Sequence, residues 1–373
     1  MPQAAVPAAF WRGGTSRAVM FKEQDLAPFH PDAREHIILA ALGSPDPNQR
    51  QVDGLGGGIS SLSKVCILDW ADGEAKFNFG QVSVTEPEID WSGTCGNMSA
   101  AIGPFAIEAG WITAHEPVTE VPVLAVNTDK RFVAEVPVRD GGFEPEGDFA
   151  IDGVPGTAAM IGLRFLDPGG TQGRGLLPTG RERDVIAGCE ATILDAVNPT
   201  VFVRAADLGL TGTEAAADIE VQPRVMARLE EIRSAAAELI GLGGAKAIPK
   251  IAAVAPGSGA LQVLARAISM ERAHRTLPAG SAVGMAVAAA IPGTVVQEAL
   301  ANGPSPQPSP KGRGSVAIGH PAGQMEIGAE VACVDGQWRC VSATTYRSAR
   351  KIMDGNIYVP SRYLSGRPWY ARP

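Results

Sequence analysis

Apolar positions along this chain gather in short runs broken by Gly, Pro and small polar residues, and two runs are apolar almost without interruption. The first lies within Trp91–Trp111, WSGTCGNMSAAIGPFAIEAGW, where the only ionisable residue between Met98 and Ala109 is Glu108. A run of that kind predicts a helix buried on every side. Pro104 within it predicts a kink or a later helix start. The second, PAGSAVGMAVAAAIPGTVV (Pro278–Val296), predicts a short helix of Ala, Val and Met that ends at Pro292. Small polar residues precede both helices. Strand-like runs surround each one, so the pattern predicts a weak internal duplication: two halves, each wrapping strands around one buried helix.

The remaining elements fit that plan. Ala4–Phe21 reads as two strands interrupted at Arg12-Gly13-Gly14-Thr15-Ser16, and Pro31–Leu42 as a surface helix ended by Gly43. Val65–Leu68, Phe77–Val84, Val121–Val138 and Met160–Phe165 supply further strands, with a loop at Gly141–Gly156. Gly169–Gly180 is a glycine-rich connection, and the domain boundary is placed near it, giving domains 1–184 and 185–373. The second half offers strands at Cys189–Leu194, Thr200–Arg204, Ile248–Ala255 and Leu261–Ser269, a charged amphipathic helix at Gln222–Leu239, and a surface excursion without apolar residues at 303–314.

Composition narrows the function classes. At 373 residues the chain is long enough for two domains. Its net charge of −8 gives no basic field for nucleic acid or anionic lipid. The longest small-apolar run, Ala282–Ile291, is too short to span a bilayer. Met1–Phe10 lacks the basic start and apolar core of a signal peptide. The 5 cysteines include no CxxC pair and are odd in number, which suits a reducing compartment. The expectation is a cytoplasmic protein. The 5 His show no metal-ligand spacing.

Three stretches carry candidate chemistry. Cys95 precedes the first buried helix, where backbone N–H groups lack internal partners and favour an anion; the bland reading is a small buried hydrophobe. RGGTS offers Arg12 for a bidentate carboxylate pair and hydroxyls from Thr15 and Ser16; the bland reading is an ordinary hairpin turn. In QVDGLGGGISSLSKVCIL, glycines and the hydroxyls of Ser60, Ser61 and Ser63 can cradle an anion. That loop has neither the Walker closure nor G-x-G-x-x-G spacing. Ser61-Leu62-Ser63-Lys64 matches S-x-x-K of the penicillin-recognising enzymes, but S-D-N and K-T-G are missing. What remains is Lys64 entering an apolar strand, either a solvated surface group or a desolvated amine usable as a base. His320, in Gly319-His320-Pro321, reads first as structural.

Taken together, RGGTS, SPDP (Ser44–Pro47), DGLGG (Asp53–Gly57), SKV (Ser63–Val65), the Cys95 stretch, LPTG (Leu177–Gly180), AADLGLTGTE (Ala205–Glu214), AAAIPGTVV (Ala288–Val296), GHPAG (Gly319–Gly323) and RSAR (Arg347–Arg350) resemble the PrpF protein family. Arg17 and Ala322 depart from the residues common there, and the proline-rich excursion is outside the pattern. The resemblance implies an α+β fold of two similar diaminopimelate-epimerase-like domains, each a curved, mostly antiparallel sheet around a central helix, with the site in the cleft between them. It implies no cofactor. It implies an isomerase that moves or rotates a C=C bond in a small unsaturated polycarboxylate by allylic proton abstraction. The expected reaction is 2-methylaconitate cis–trans isomerisation, with 4-oxalomesaconate tautomerisation and methylitaconate isomerisation as alternatives.

In the family Lys64 and Cys95 match the acid–base groups. Arg12, Thr15, Ser16, Ser61, Gly96, Asn97 and His320 are the candidates for holding carboxylates. A racemase with two cysteines is disfavoured because the second helix carries none; Gly284 and Met285 sit near where one is expected. A non-enzymatic accessory protein of an aconitase-like dehydratase is the alternative from another class. Apolar, Gly-rich strands at a sheet edge permit a homodimer.

Overall fold

Strand pairing repeats itself in the two halves of the chain. The computed structural model describes residues 3–270, 272–303 and 315–365; the excursion lies almost wholly outside them. In the first half the strands are β1 (Gln3–Gly13), β2 (Ser16–Lys22), β3 (Lys64–Ala71), β4 (Glu74–Val82), β5 (Val118–Ala125), β6 (Lys130–Arg139) and β7 (Ile161–Leu166). Successive neighbours pair antiparallel, parallel, antiparallel, parallel, antiparallel, antiparallel. The second half adds β8 (Asp184–Ile186), β9 (Cys189–Ala196), β10 (Asn198–Arg204), β11 (Lys250–Pro256), β12 (Val263–Ser269), β13 (Ser315–His320), β14 (Gly323–Val334) and β15 (Gln337–Arg347). From β9 to β15 the neighbours follow the same series of senses. Each strand of β1–β7 therefore has a counterpart in β9–β15. The duplication expected from the two apolar runs is a property of the whole sheet.

The halves meet where β7 pairs with β15, Leu166 opposite Ser342 through Ile161 opposite Arg347. One feature departs from the linear division at 184/185. The last strand, β16 (Ala349–Pro360), returns to the first half and pairs along the length of β1. It flanks β1 as β8 flanks β9. Ala349–Pro360 is thus paired with the first half's sheet, and Tyr346–Arg350 is the crossing from β15 to β16.

Each half curls around one helix. In the first half this is α2 (Ser99–Glu108), whose residues from Ser99 to Ile107 are all buried; α1 (Pro31–Leu42) lies outside the sheet. Pro104 sits inside α2 without delaying its start. In the second half α4 (Ala279–Ala289) is buried at every position, whereas α3 (Pro223–Leu239) buries only Leu229, Ile232, Ala236 and Ala237. A helix with no polar face has no favourable surface position, so the sheet must enclose it. Residues of both central helices belong to one continuous core. Truncating Ile102 there would cost on the order of 2–5 kcal/mol.

Candidate active site

The two central helices point their N-termini at one another. A Cβ on Gly96 would lie 3.1 Å from both Ala279 Cβ and the Gly280 nitrogen. That approach leaves little room for a side chain, and it identifies Ala279, rather than Gly284 or Met285, as the second-half residue across from Cys95. The α2 start is built around Cys95: its carbonyl accepts the Ser99 N–H at 2.9 Å, and its sulfur accepts the Met98 N–H at 3.4 Å. Asn198, at the start of β10, holds the preceding residue from the other half of the chain. Its Oδ1 accepts the Thr94 N–H at 2.9 Å and its Nδ2 donates to the Thr94 carbonyl at 2.8 Å.

A cavity of about 30 Å³ lies at this junction, lined by residues of both halves, among them Ser16, Lys64, Cys95, Asn97, Lys250 and His274. The space is narrow and set between the two halves. Lys64 is the first residue of β3, buried. Its Nζ donates to Gln81 Oε1 at 2.5 Å and lies 5.2 Å from the centroid of the Phe79 ring. The Gln81 amide is oriented by its NH2 group, which donates to the carbonyls of Ser60 at 3.0 Å and Ser63 at 2.9 Å. Burial lowers the Lys64 pKa, with Cys95 and Cys66 pulling it back upward.

Lys250 is the first residue of β11, the counterpart of β3. It lines the same cavity, and its Nζ donates to the Ala247 carbonyl at 3.0 Å. Burial, with Lys64 nearby, lowers its pKa to about 8. His274 accepts the Thr276 N–H on Nδ1 at 3.2 Å, which leaves its proton on Nε2; burial holds its pKa down at about 3, so the ring is neutral. The hydroxyl of Thr94 is buried and has no hydrogen-bond partner among the described residues. Among the described residues no Asp or Glu lines the cavity.

The expected site residues divide between this cavity and its surroundings. Lys64, Cys95, Ser16, Gly96 and Asn97 line it together. Thr15 does not line it, but its hydroxyl accepts from Asn97 Nδ2 at 3.1 Å and meets Thr276 of the other half at 3.2 Å. Ser61 is absent from the lining, where Ser60 stands instead. Arg12 is engaged in structure, donating to the carbonyls of Gly14 at 2.9 Å and Ser348 at 3.0 Å; burial and Arg350 lower its pKa. His320 lines a separate cavity of about 1050 Å³, with Thr15, Asp152 and Arg347. Its Nδ1 accepts the Ala322 N–H across the β13–β14 turn at 3.3 Å, and burial holds its pKa down at about 4. The glycine-rich loop is packed rather than open. A Cβ on Gly54 would fall within 2.1 Å of the Gly43 nitrogen, and Gln51 binds the Ser44 and Ser63 hydroxyls at 2.8 and 2.7 Å.

Sequence reasoning missed Lys250, Gln81, Thr94, Asn198 and His274. A signal for Lys250 was present: PKIAAV from Pro249 repeats the pattern of SKVCIL from Ser63. No local pattern marks His274.

The family model described as PrpF protein matches residues 3–360. The 2-methyl-aconitate isomerase of Shewanella oneidensis is 38% identical over 96% of this chain and 98% of its own length. The crystal structure of methylitaconate-delta-isomerase superposes with a TM-score of 0.76 at 34% identity, covering all of both chains. A hydroxyproline epimerase from Agrobacterium vitis shares the fold at 13% identity, with a TM-score of 0.57 over 96% of this chain and 92% of its own.

Proposed function

The chain belongs to the PrpF protein family, and from that premise we propose that this isomerase moves or rotates the C=C bond of a small unsaturated polycarboxylate, with 2-methylaconitate as the substrate. The observation that carries the reading is the cavity itself. Two amines and a thiol share it with neutral hydrogen-bond donors, and among the described residues no carboxylate lines it. Such a lining suits a ligand bearing two or three negative charges.

The chemistry follows from the ligand. A proton on the carbon next to a conjugated C=C–carboxylate is weakly acidic, because its loss gives a dienolate delocalised onto that carboxylate. Lys64, neutral when active, takes the allylic proton and becomes an ammonium. The former double bond gains single-bond character and rotates. The ammonium or the Cys95 thiol returns a proton to the carbon, giving the other geometric isomer. Return to the far end of the delocalised system would instead shift the double bond. Burial supports Lys64 as the base, since it favours the neutral amine. Ser16, Thr94, Asn97 and the N–H groups at the α2 start are the donors for carboxylates, and closure of the two halves excludes water. The aligned relative named for 2-methyl-aconitate supports that substrate over methylitaconate, the acid named for the similar solved structure.

The test is incubation with trans-2-methylaconitate in D2O, followed by ultraviolet absorbance and proton NMR. Geometric isomerisation with deuterium entering the allylic carbon is expected. If methylitaconate exchanges and 2-methylaconitate does not, the substrate assignment fails; if neither acid nor 4-oxalomesaconate reacts, the reading of an accessory protein replaces it.

A further inference from the structure

The duplication that relates the halves also relates two lysines. Lys64 opens β3 and Lys250 opens β11; both strands pair parallel with the strand before them and antiparallel with the strand after. Lys64 stands opposite Gln81 on β4. One step beyond the pairing of Ile251 with Ile268 stands Ser269 on β12, and Gln81 and Ser269 both line the cavity. The amines thus approach one small space from opposite halves, as Cys95 and Ala279 do from the two helices.

Their surroundings differ. Lys64 is held by an amide oxygen and an aromatic face. Among the described residues Lys250 has one recorded hydrogen-bond acceptor, a backbone carbonyl. The charged and titratable groups that act on it are Lys64 and Cys95 across the cavity, Asp90 before the Cys95 loop and Arg233 on α3; His274 shares the lining. Asp90 is not a free counter-ion, because it accepts from the Ser92 N–H at 2.8 Å and the Ala247 N–H at 2.7 Å. A half-buried ammonium with so little compensation is a site waiting for an anion.

We propose that Lys250 is the carboxylate anchor of the site: its ammonium binds the carboxylate that takes up negative charge as Lys64 removes the allylic proton. The inference rests on the isomerase reading and assigns its electrophilic half. Proton balance is simple, since Lys250 keeps its protons throughout and only Lys64, Cys95 and the substrate exchange them. A second consequence follows from like charge. A cationic Lys250 opposes protonation of Lys64.

Two measurements test this. Calorimetric titration with tricarballylate, a saturated tricarboxylate, is expected to give at least tenfold weaker binding to Lys250→Met than to wild type, with Lys250→Arg retaining most of the affinity. In D2O exchange, Lys250→Met is expected to lower kcat about 100-fold and to move the acid limb of the kcat/KM profile to higher pH; Lys250→Arg should restore the limb. Unchanged affinity together with an unmoved limb would overturn the proposal, as would failure of wild type to bind tricarballylate. Should the Met variant not fold, wild type crystallised with tricarballylate decides by whether a carboxylate oxygen lies within hydrogen-bond distance of Lys250 Nζ. Wild-type binding without exchange on any unsaturated acid would sink the isomerase reading while leaving the anchor to be judged on binding alone.

Discussion

The two halves build one frame and equip it differently. Both set a lysine at the start of the third strand and a buried helix with its N-terminus at the junction. At the helix start the first half has Cys95 and the second has Ala279, each lining the cavity. Beside the lysine the first half has Gln81, whose amide is fixed by two carbonyls; the second has Ser269. The first half therefore carries groups suited to moving a proton, and the second carries charge and shape. A duplicated scaffold with two thiols would suit proton removal from one face and return to the other. Here we propose one face for proton chemistry and the other for holding the acid.

The comparison breaks most completely at Lys64. Lys64→Met should fold and lose at least 1,000-fold in deuterium exchange, because Lys250, the amine across the cavity, is assigned to holding the carboxylate and not to taking the proton. Equal loss for Cys95→Ala would make the two groups one acid–base pair; a loss nearer tenfold would leave Lys64 acting alone. Gln81→Leu removes the acceptor that aims Lys64 without touching the reacting atoms, so a fall of roughly tenfold in kcat with little change in KM is expected.

The second half makes a prediction about stability. Burial lowers the Lys250 pKa to about 8 from 10.5, so the folded chain binds that proton less tightly than the unfolded one. Folding is penalised in full below about pH 8, and the penalty fades as pH rises toward 10.5. Lys250→Met should therefore raise stability at pH 7, by on the order of 1–3 kcal/mol, with the gain shrinking above pH 8 in denaturant titrations. The smallest effect is reserved for Cys333, an exposed thiol on β14: Cys333→Ser should leave exchange unchanged.

Much of this was legible in the sequence because it is periodic or local. Two apolar runs gave the central helices, since burial on every side needs no partner to be recognised. Lys64 and Cys95 each sit beside distinctive residues. Lys250 was not singled out because one lysine before an apolar strand is commonplace; only the strand pairing shows that it repeats Lys64. Arg12 looked available because a sequence does not show which donors the backbone has already used, and Ser61 because it does not show which hydroxyl of a serine run faces the cavity. The return of β16 to β1 was hidden for a related reason. Long-range pairing depends on register and closure, and Ala349–Pro360 reads the same wherever it pairs.

The most direct test is the pH dependence of deuterium entry into 2-methylaconitate, compared between wild type and Lys64→Met. Exchange at the allylic carbon is expected in wild type, rising with pH through an apparent pKa below the ordinary lysine value, with near-complete loss in the variant. Exchange that persists in Lys64→Met with the same pH profile would contradict it.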